Sequence, residues 1–327
     1  MNETFDVILL LALPASGKSE VRRYLANMSA AELKRDFHIG DTIQLDDFPY
    51  VHMMRRVDDE LVKLGKARMF FKSPDRPFAD PKDWGTLIHL INEDYADLLA
   101  KRVSEAPSAA ALLVKRVENA AGKAGISPRL SALDAGTITI ITAALEKEAR
   151  SMLDEKHAAY PASFEGKTII IEAARGGAHG SAMPLAAPFG YRYSLGEFAP
   201  EIIKKAVILY VWVTPEESRR KNTARTDPND PGSILHHGVP MEVMMNDYGT
   251  DDMDWLEKNS EVPGTVTISA GGVNYHLPIG RFDNRVDKTS FLRDEKADWP
   301  AEKVKNVRLG IKAATDKMYA LRTAAGK

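Results

Sequence analysis

The feature that most constrains this chain is an order of events near its start. An unbroken apolar run, Val7 to Leu13, is followed by the loop Pro14-Ala15-Ser16-Gly17-Lys18-Ser19, and then Val21, Tyr24, Leu25 and Met28 recur at helical spacing. A run without polar alternation suits a strand buried on both faces, as in the centre of a parallel sheet. It follows Glu3 and Asp6 rather than a cationic segment, and no stretch approaches a membrane-spanning length, so it reads neither as a signal peptide nor as a transmembrane helix. A glycine-bearing loop between strand and helix sets backbone N–H groups and the positive end of the helix around a phosphate chain.

The spacing from Ala12 to Ser19 matches a Walker A loop, with Ala12 where glycine is more usual. Pro14, Ala15, Ser16, Gly17, Lys18, Ser19 and Glu20 are therefore candidates for binding a nucleotide, with Lys18 on the β- and γ-phosphates and Ser19 on Mg²⁺. Composition narrows the partners. The 327 residues carry 44 Lys+Arg against 46 Asp+Glu, a net charge of −2, which argues against long nucleic acid and membrane surfaces. A hydrophobic content of 44% supports a sizeable core, as one large α/β domain with insertions or as two domains. The absence of cysteine excludes disulfides, thiolate metal sites and a cysteine nucleophile, and agrees with a reducing, cytoplasmic location. The histidines show no metal spacing, His236 and His237 being neighbours, so no structural zinc is expected.

Further strand candidates end in acids. Thr42 to Leu45 runs into Asp46-Asp47-Phe48-Pro49-Tyr50, after which an amphipathic segment begins near His52. At the carboxyl edge of an open parallel sheet a carboxylate faces the ligand crevice, where it accepts a proton from a substrate hydroxyl or holds Mg²⁺ through water. Adjacent strand residues point to opposite faces, so one of the pair does this: Asp46 is expected to be catalytic and Asp47 to cap the next helix. Lys167 to Ala173 places Glu172 where a Walker B acid would stand, a second candidate for Mg²⁺, and Arg175 follows on a glycine-rich loop as a candidate for substrate phosphate or carboxylate. A fourth strand, Ala206 to Val213, leads through Thr214-Pro215 into a helix with Glu216 and Glu217 first and Arg219, Arg220, Lys221 and Arg225 after, the order the helix dipole favours. Arg219 and Lys221 read as solvated face, whereas Arg220 and Arg225 are candidates to stabilise transferred charge, with Asp227 to Gly232 as a turn-rich hinge.

On these residues the sequence resembles the P-loop kinase superfamily. The Asp46-Asp47-Phe48 signature is similar to that of uridine kinases and phosphoribulokinases. The strand, Pro-Glu-Glu helix and arginines, followed by His237 to Val243, look like the lid of polynucleotide-kinase-like and zeta-toxin-like kinases. The whole chain also resembles bacterial P-loop proteins with an Ile-Glu-Ala-Arg-Gly-Gly-like third strand, a likeness that implies no substrate. The resemblance implies a doubly wound, mainly parallel α/β sheet with a helical insertion and a lid. It also implies a cytoplasmic enzyme using ATP and Mg²⁺.

Residues 1–52 and 165–327 are expected to form the nucleotide-binding core, with the lid at about 214–262 and residues 53–164 as a helical insertion over the acceptor. The insertion carries helical patterns over Gly85 to Val103, Ser108 to Ala121 and Thr137 to Ala158, with Ser127-Pro128 as a helix start. Arg55, Arg56, Arg68, Lys72 and Arg76 give its entrance a basic bias read as solvated charge, and Trp84 reads as packing rather than site. Thr265 to Ser269 and Asn274 to Phe282 form a hairpin whose second strand would join the sheet, and Pro300 to Thr323 is a helix with Val304, Val307, Ile311 and Ala314 inward. The function expected is transfer of the γ-phosphate of ATP to a hydroxyl of a small molecule such as a nucleoside or sugar. The alternatives are a polynucleotide-kinase- or zeta-toxin-like kinase and an ATP-binding or ATP-hydrolysing switch; no Asn-Lys-x-Asp guanine signature occurs.

Overall fold

The computed structural model describes residues 3–225 and 238–325. The side chain of Arg225, the expected hinge at 227–232 and the pair His236 and His237 lie outside the described residues. Six strands form one sheet: β1 (Val7–Leu11), β2 (Asp41–Asp46), β3 (Lys167–Ala173), β4 (Ala206–Trp212), β5 (Thr265–Ala270) and β6 (Val273–Asp283), in the order β2-β3-β1-β4-β6-β5. All neighbours are parallel except β5, which pairs antiparallel with β6 as the expected hairpin, while β6 runs parallel to β4. Among the described residues the helices are α1 (Lys18–Ala26), α2 (Ala30–Phe37), α3 (Phe48–Lys63), α4 (Asp83–Ala100), α5 (Ala109–Lys123), α6 (Ala135–Ala158), α7 (Gly190–Gly196), α8 (Pro200–Ile203), α9 (Pro215–Arg225), α10 (Met241–Asn246), α11 (Met253–Lys258) and α12 (Ala301–Ala325). None of them is long and apolar enough to cross a membrane.

The alternation of strand side chains divides the core into two layers. Leu9, Leu11, Ile171 and Ile208 pack with Ile88 and Tyr95 of α4, Tyr191 of α7 and Ile202 of α8 on one face. Ile8, Leu10, Ile170 and Leu209 pack with Val21 of α1, Phe37 of α2 and Val307 and Ile311 of α12 on the other. Helices on both faces explain why β1 is apolar throughout: it is the inner strand of an α/β sandwich.

A third apolar cluster belongs to the helical layer α3–α6, where Met54, Leu87, Leu113 and Leu145 meet. This layer begins at Phe48, inside the boundary expected at residue 52. Ser127-Pro128 does not start a helix. The Glu118 carboxylate accepts the N–H groups of Arg129, Leu130 and Ser131 at 2.8, 3.1 and 3.3 Å, which stabilises an irregular turn, and Asp134 caps α6 by accepting from Thr137 N–H at 2.9 Å.

Helix α12 lies so close to β6 that a Cβ on Gly280 would overlap the Ala314 carbonyl. Gly280→Ala is therefore expected to destabilise the fold by about 1–3 kcal/mol, the usual range for overpacking. Gly122→Ala is the control: its Cβ would meet no atom within 4 Å, and the change should stabilise α5 by about 0.5–1 kcal/mol. Urea midpoints that move in the same direction for both would contradict this account of the α12 contact.

Candidate functional site

The loop after β1 is built by backbone conformation and by outside anchors. Ala15 and Gly17 adopt left-handed φ of 55° and 108°, and a Cβ on Gly17 would lie 2.8 Å from Asn284 Nδ2. Three alternate carbonyls of the loop are each taken by a side chain from elsewhere in the chain. The Tyr191 hydroxyl donates to Ala12 at 3.0 Å, Ser218 Oγ to Pro14 at 2.7 Å and Asn284 Nδ2 to Ser16 at 2.6 Å. Gly17 occupies the N-cap of α1 without a capping side chain, which leaves the first-turn N–H groups for a ligand. The Ser16 hydroxyl is buried without a hydrogen-bond partner, and Lys18 Nζ donates back to Ala12 O at 3.4 Å.

A cavity of about 510 Å³, a volume in the range of small-molecule sites, opens over this loop. Pro14 through Glu20 all line it, together with Asp46 and Glu172, so the structure brings these sequence candidates together. Glu20 is nevertheless engaged elsewhere, its carboxylate accepting from Arg293 Nε at 2.6 Å. Asp46 and Glu172 are register partners on β2 and β3. Arg22 of α1 joins them, with Nη1 2.7 Å from Glu172 and 3.6 Å from Asp46. Burial, then the charges of Glu172 and Asp47, push the Asp46 carboxyl up to about 7 against the Phe48 N–H and Arg22.

The division of labour between the two aspartates differs from expectation. Asp47 stands at the N-cap of α3 but caps nothing with its side chain; its carboxylate pairs with Arg175 Nη1 at 2.7 Å. Asp46 Oδ1 instead accepts the Phe48 N–H at 2.9 Å. Arg175 is 2% exposed, with its guanidinium 4.9 Å from the Trp84 ring centroid. It is outside the cavity lining and paired with Asp47, which offsets part of the cost of burying a guanidinium, while Nε and Nη2 have no hydrogen-bond partner among the described residues.

On α9 the solvated assignment of Lys221 is overturned: it is 1% exposed and bound to Asp287 at 2.8 Å and to Thr289 at 3.2 Å. Arg220 is 58% exposed and held by Glu217 at 2.7 Å, outside the cavity lining. Arg219 binds Glu216 at 3.1 Å.

Sequence reasoning missed the opposite wall. Arg55, Phe71, Arg76, Phe78, Trp84, Asp247 and Tyr248 all line the cavity. Trp84, set aside as packing, is 6% exposed and forms part of both core and cavity. Arg55 and Arg76 are engaged rather than loosely solvated: Arg55 stacks 4.0 Å over Phe71 and donates to Pro74 O at 2.6 Å, and Arg76 pairs with Glu242 of α10. The basic spacing at 55–76 was the one available signal.

As a donor set, the Ser19 hydroxyl with the Glu172 carboxylate suits Mg²⁺, which binds through one or two carboxylates and keeps the rest of its sphere for water and phosphate. The uncapped α1 end and the unpartnered Ser16 hydroxyl suit phosphate oxygens. In comparisons with known proteins the chain matches no family model, and neither a curated protein nor a solved structure is significantly similar to it.

Proposed function

We propose that this chain is a P-loop kinase that moves the γ-phosphate of ATP to a hydroxyl of a small molecule with the help of Mg²⁺. One observation carries the reading: an uncapped helix N-terminus behind Gly17-Lys18-Ser19 and a carboxylate whose pKa lies at about 7, Asp46, line the same cavity. The first binds phosphate, and the second is tuned to accept a proton near neutrality.

In this reading the loop N–H groups and Ser16 hold the phosphates, and Lys18 leaves the Ala12 carbonyl to neutralise the β- and γ-oxygens. Ser19 and Glu172 would hold Mg²⁺, which would supply positive charge to offset that of the phosphates. Asp46 orients the acceptor hydroxyl and takes its proton. Arg22 keeps Asp46 and Glu172 in register from α1. Arg220 stabilises charge only after leaving Glu217, a motion suited to a lid.

Asp46→Asn is expected to lower phosphoryl transfer by about 100- to 10,000-fold while ATP affinity stays within a few-fold. The measurement is transfer of labelled γ-phosphate into a pooled metabolite fraction with mass analysis of the product. ATP hydrolysis that is indifferent to Asp46→Asn, with no phosphorylated product, would replace the kinase by a nucleotide switch.

Stability offers a check without turnover. Because the Asp46 carboxyl is raised, the metal-free folded state keeps a proton that the unfolded chain loses between about pH 4 and pH 7, so this group's contribution falls as pH rises through that window. Asp46→Asn should therefore raise the melting temperature in chelator at pH 8 by a few degrees and change it little at pH 4. Added Mg²⁺ should stabilise the native protein more at pH 8 than at pH 5, and this difference should shrink in Asp46→Asn and in Glu172→Gln. A Mg²⁺ effect independent of Glu172 would remove it from the metal site.

A further inference from the structure

Part of the cavity lining is an aromatic wall that phosphoryl transfer leaves unused. Phe78 meets Trp84 edge-on at 4.9 Å between ring centroids, and Trp84 meets Tyr248 edge-on at 5.6 Å. Asp247, next to Tyr248 at the end of α10, is 4% exposed and lines the same cavity. Its backbone N–H donates to Val243 O at 2.9 Å, but its carboxylate accepts a hydrogen bond from no described residue. Burial pushes this carboxyl up to about 7, against the pull of Lys72.

A carboxylate that lines a cavity and has no protein donor takes its hydrogen bonds from what fills the cavity. The charges around it restrict that ligand further. Arg76 is already paired with Glu242 and Asp47 with Arg175, so this wall presents one charge of each sign, Arg55 and Asp247: a cation is penalised by the first and an anion by the second. A neutral molecule rich in hydroxyl donors meets neither penalty, and the aromatic edges and faces beside Asp247 suit an apolar C–H surface.

We infer that Asp247 is the acceptor-binding carboxylate of this cavity, and that the acceptor is a neutral polyhydroxylated molecule, a sugar or sugar-like polyol. Its hydroxyls donate to Asp247 and its C–H face packs on Phe78, Trp84 and Tyr248. The word acceptor rests on the kinase reading; the binding of the polyol does not.

The test is calorimetric titration of the full chain, loaded with a non-hydrolysable ATP analogue and Mg²⁺, with a panel of aldopentoses, aldohexoses and alditols, with glucosamine and glucuronate as charged counterparts. At least one neutral member should bind, and more tightly than either charged analogue. Asp247→Ala should weaken that binding by about 10- to 100-fold, the range for hydrogen bonds to a charged group, while ATP affinity is unchanged. Asp247→Asn, which keeps the shape and removes a buried charge, should fold at least as stably and should also weaken binding, so that loss of fold is not mistaken for loss of contact.

The inference is overturned if no neutral member binds, if a charged analogue binds more tightly, or if binding ignores both substitutions. A polyol that binds through Asp247 but receives no phosphate sinks the kinase reading and leaves this one standing. A phosphorylated compound whose binding ignores Asp247 does the reverse.

Discussion

The rest of the site depends on the outward anchoring of the phosphate loop. Ala12, Pro14 and Ser16 present their carbonyls to Tyr191, Ser218 and Asn284, which come from α7, α9 and the loop after β6. Peptide dipoles whose oxygens are fixed toward the scaffold aim their N–H ends the opposite way, the arrangement on which the proposed phosphate binding rests. The anchors are themselves fixed. Asn284 also donates to Thr289 at 2.9 Å, Thr289 accepts from Lys221 at 3.2 Å, and Lys221 is paired with Asp287. A buried lysine in α9 thus stands three hydrogen bonds from the Ser16 carbonyl, which accounts for a charge that the sequence pattern assigns to solvent.

Two guanidinium groups divide the acids at the ends of β2 and β3. Arg175 neutralises Asp47 in the interior, while Arg22 is shared between Glu172 and Asp46 and lies closer to Glu172. Asp46 is therefore the under-compensated member of the group, and burial acts on it with little opposition. A second cavity of about 220 Å³, between β2 and the helices α5 and α6, is also lined by Gln44 and Asp46, so β2 separates two hollows. The high carboxyl pKa is a consequence of position at the sheet edge, not of any one neighbour.

What could be read from the sequence follows the range of the interactions. Local pattern located every strand to within about two residues and set Gly17, Lys18, Ser19, Asp46 and Glu172 at the carboxyl edge, because apolar runs and turn glycines act over a few neighbours. Pairings across the chain left no such trace. Arg175 and Asp47 are far apart in sequence, and so are Lys221 and Asp287, and in each case local reading assigned the more solvated or more functional role. Trp84 shows the same limit from the other side: burial was expected, but burial against Phe78 and Tyr248 at a cavity wall is a property of three separate segments.

The helical layer and the returning segment after α9 meet over the same cavity, and this decides how the two halves of the site are coupled. Arg76 from the layer pairs with Glu242 of α10, and Asn222 of α9 exchanges two hydrogen bonds with Val239, at 2.7 and 2.9 Å. Val239, Pro240 and Val243 line the cavity, and Ser218 of α9 holds the phosphate loop at Pro14. One helix therefore touches both ends: its first turn fixes a loop carbonyl, and its last turns position the segment that carries Asp247. Displacement of α9 would disturb the contact to the Pro14 carbonyl and the segment that carries Asp247 together, so the two proposed subsites are physically joined through α9.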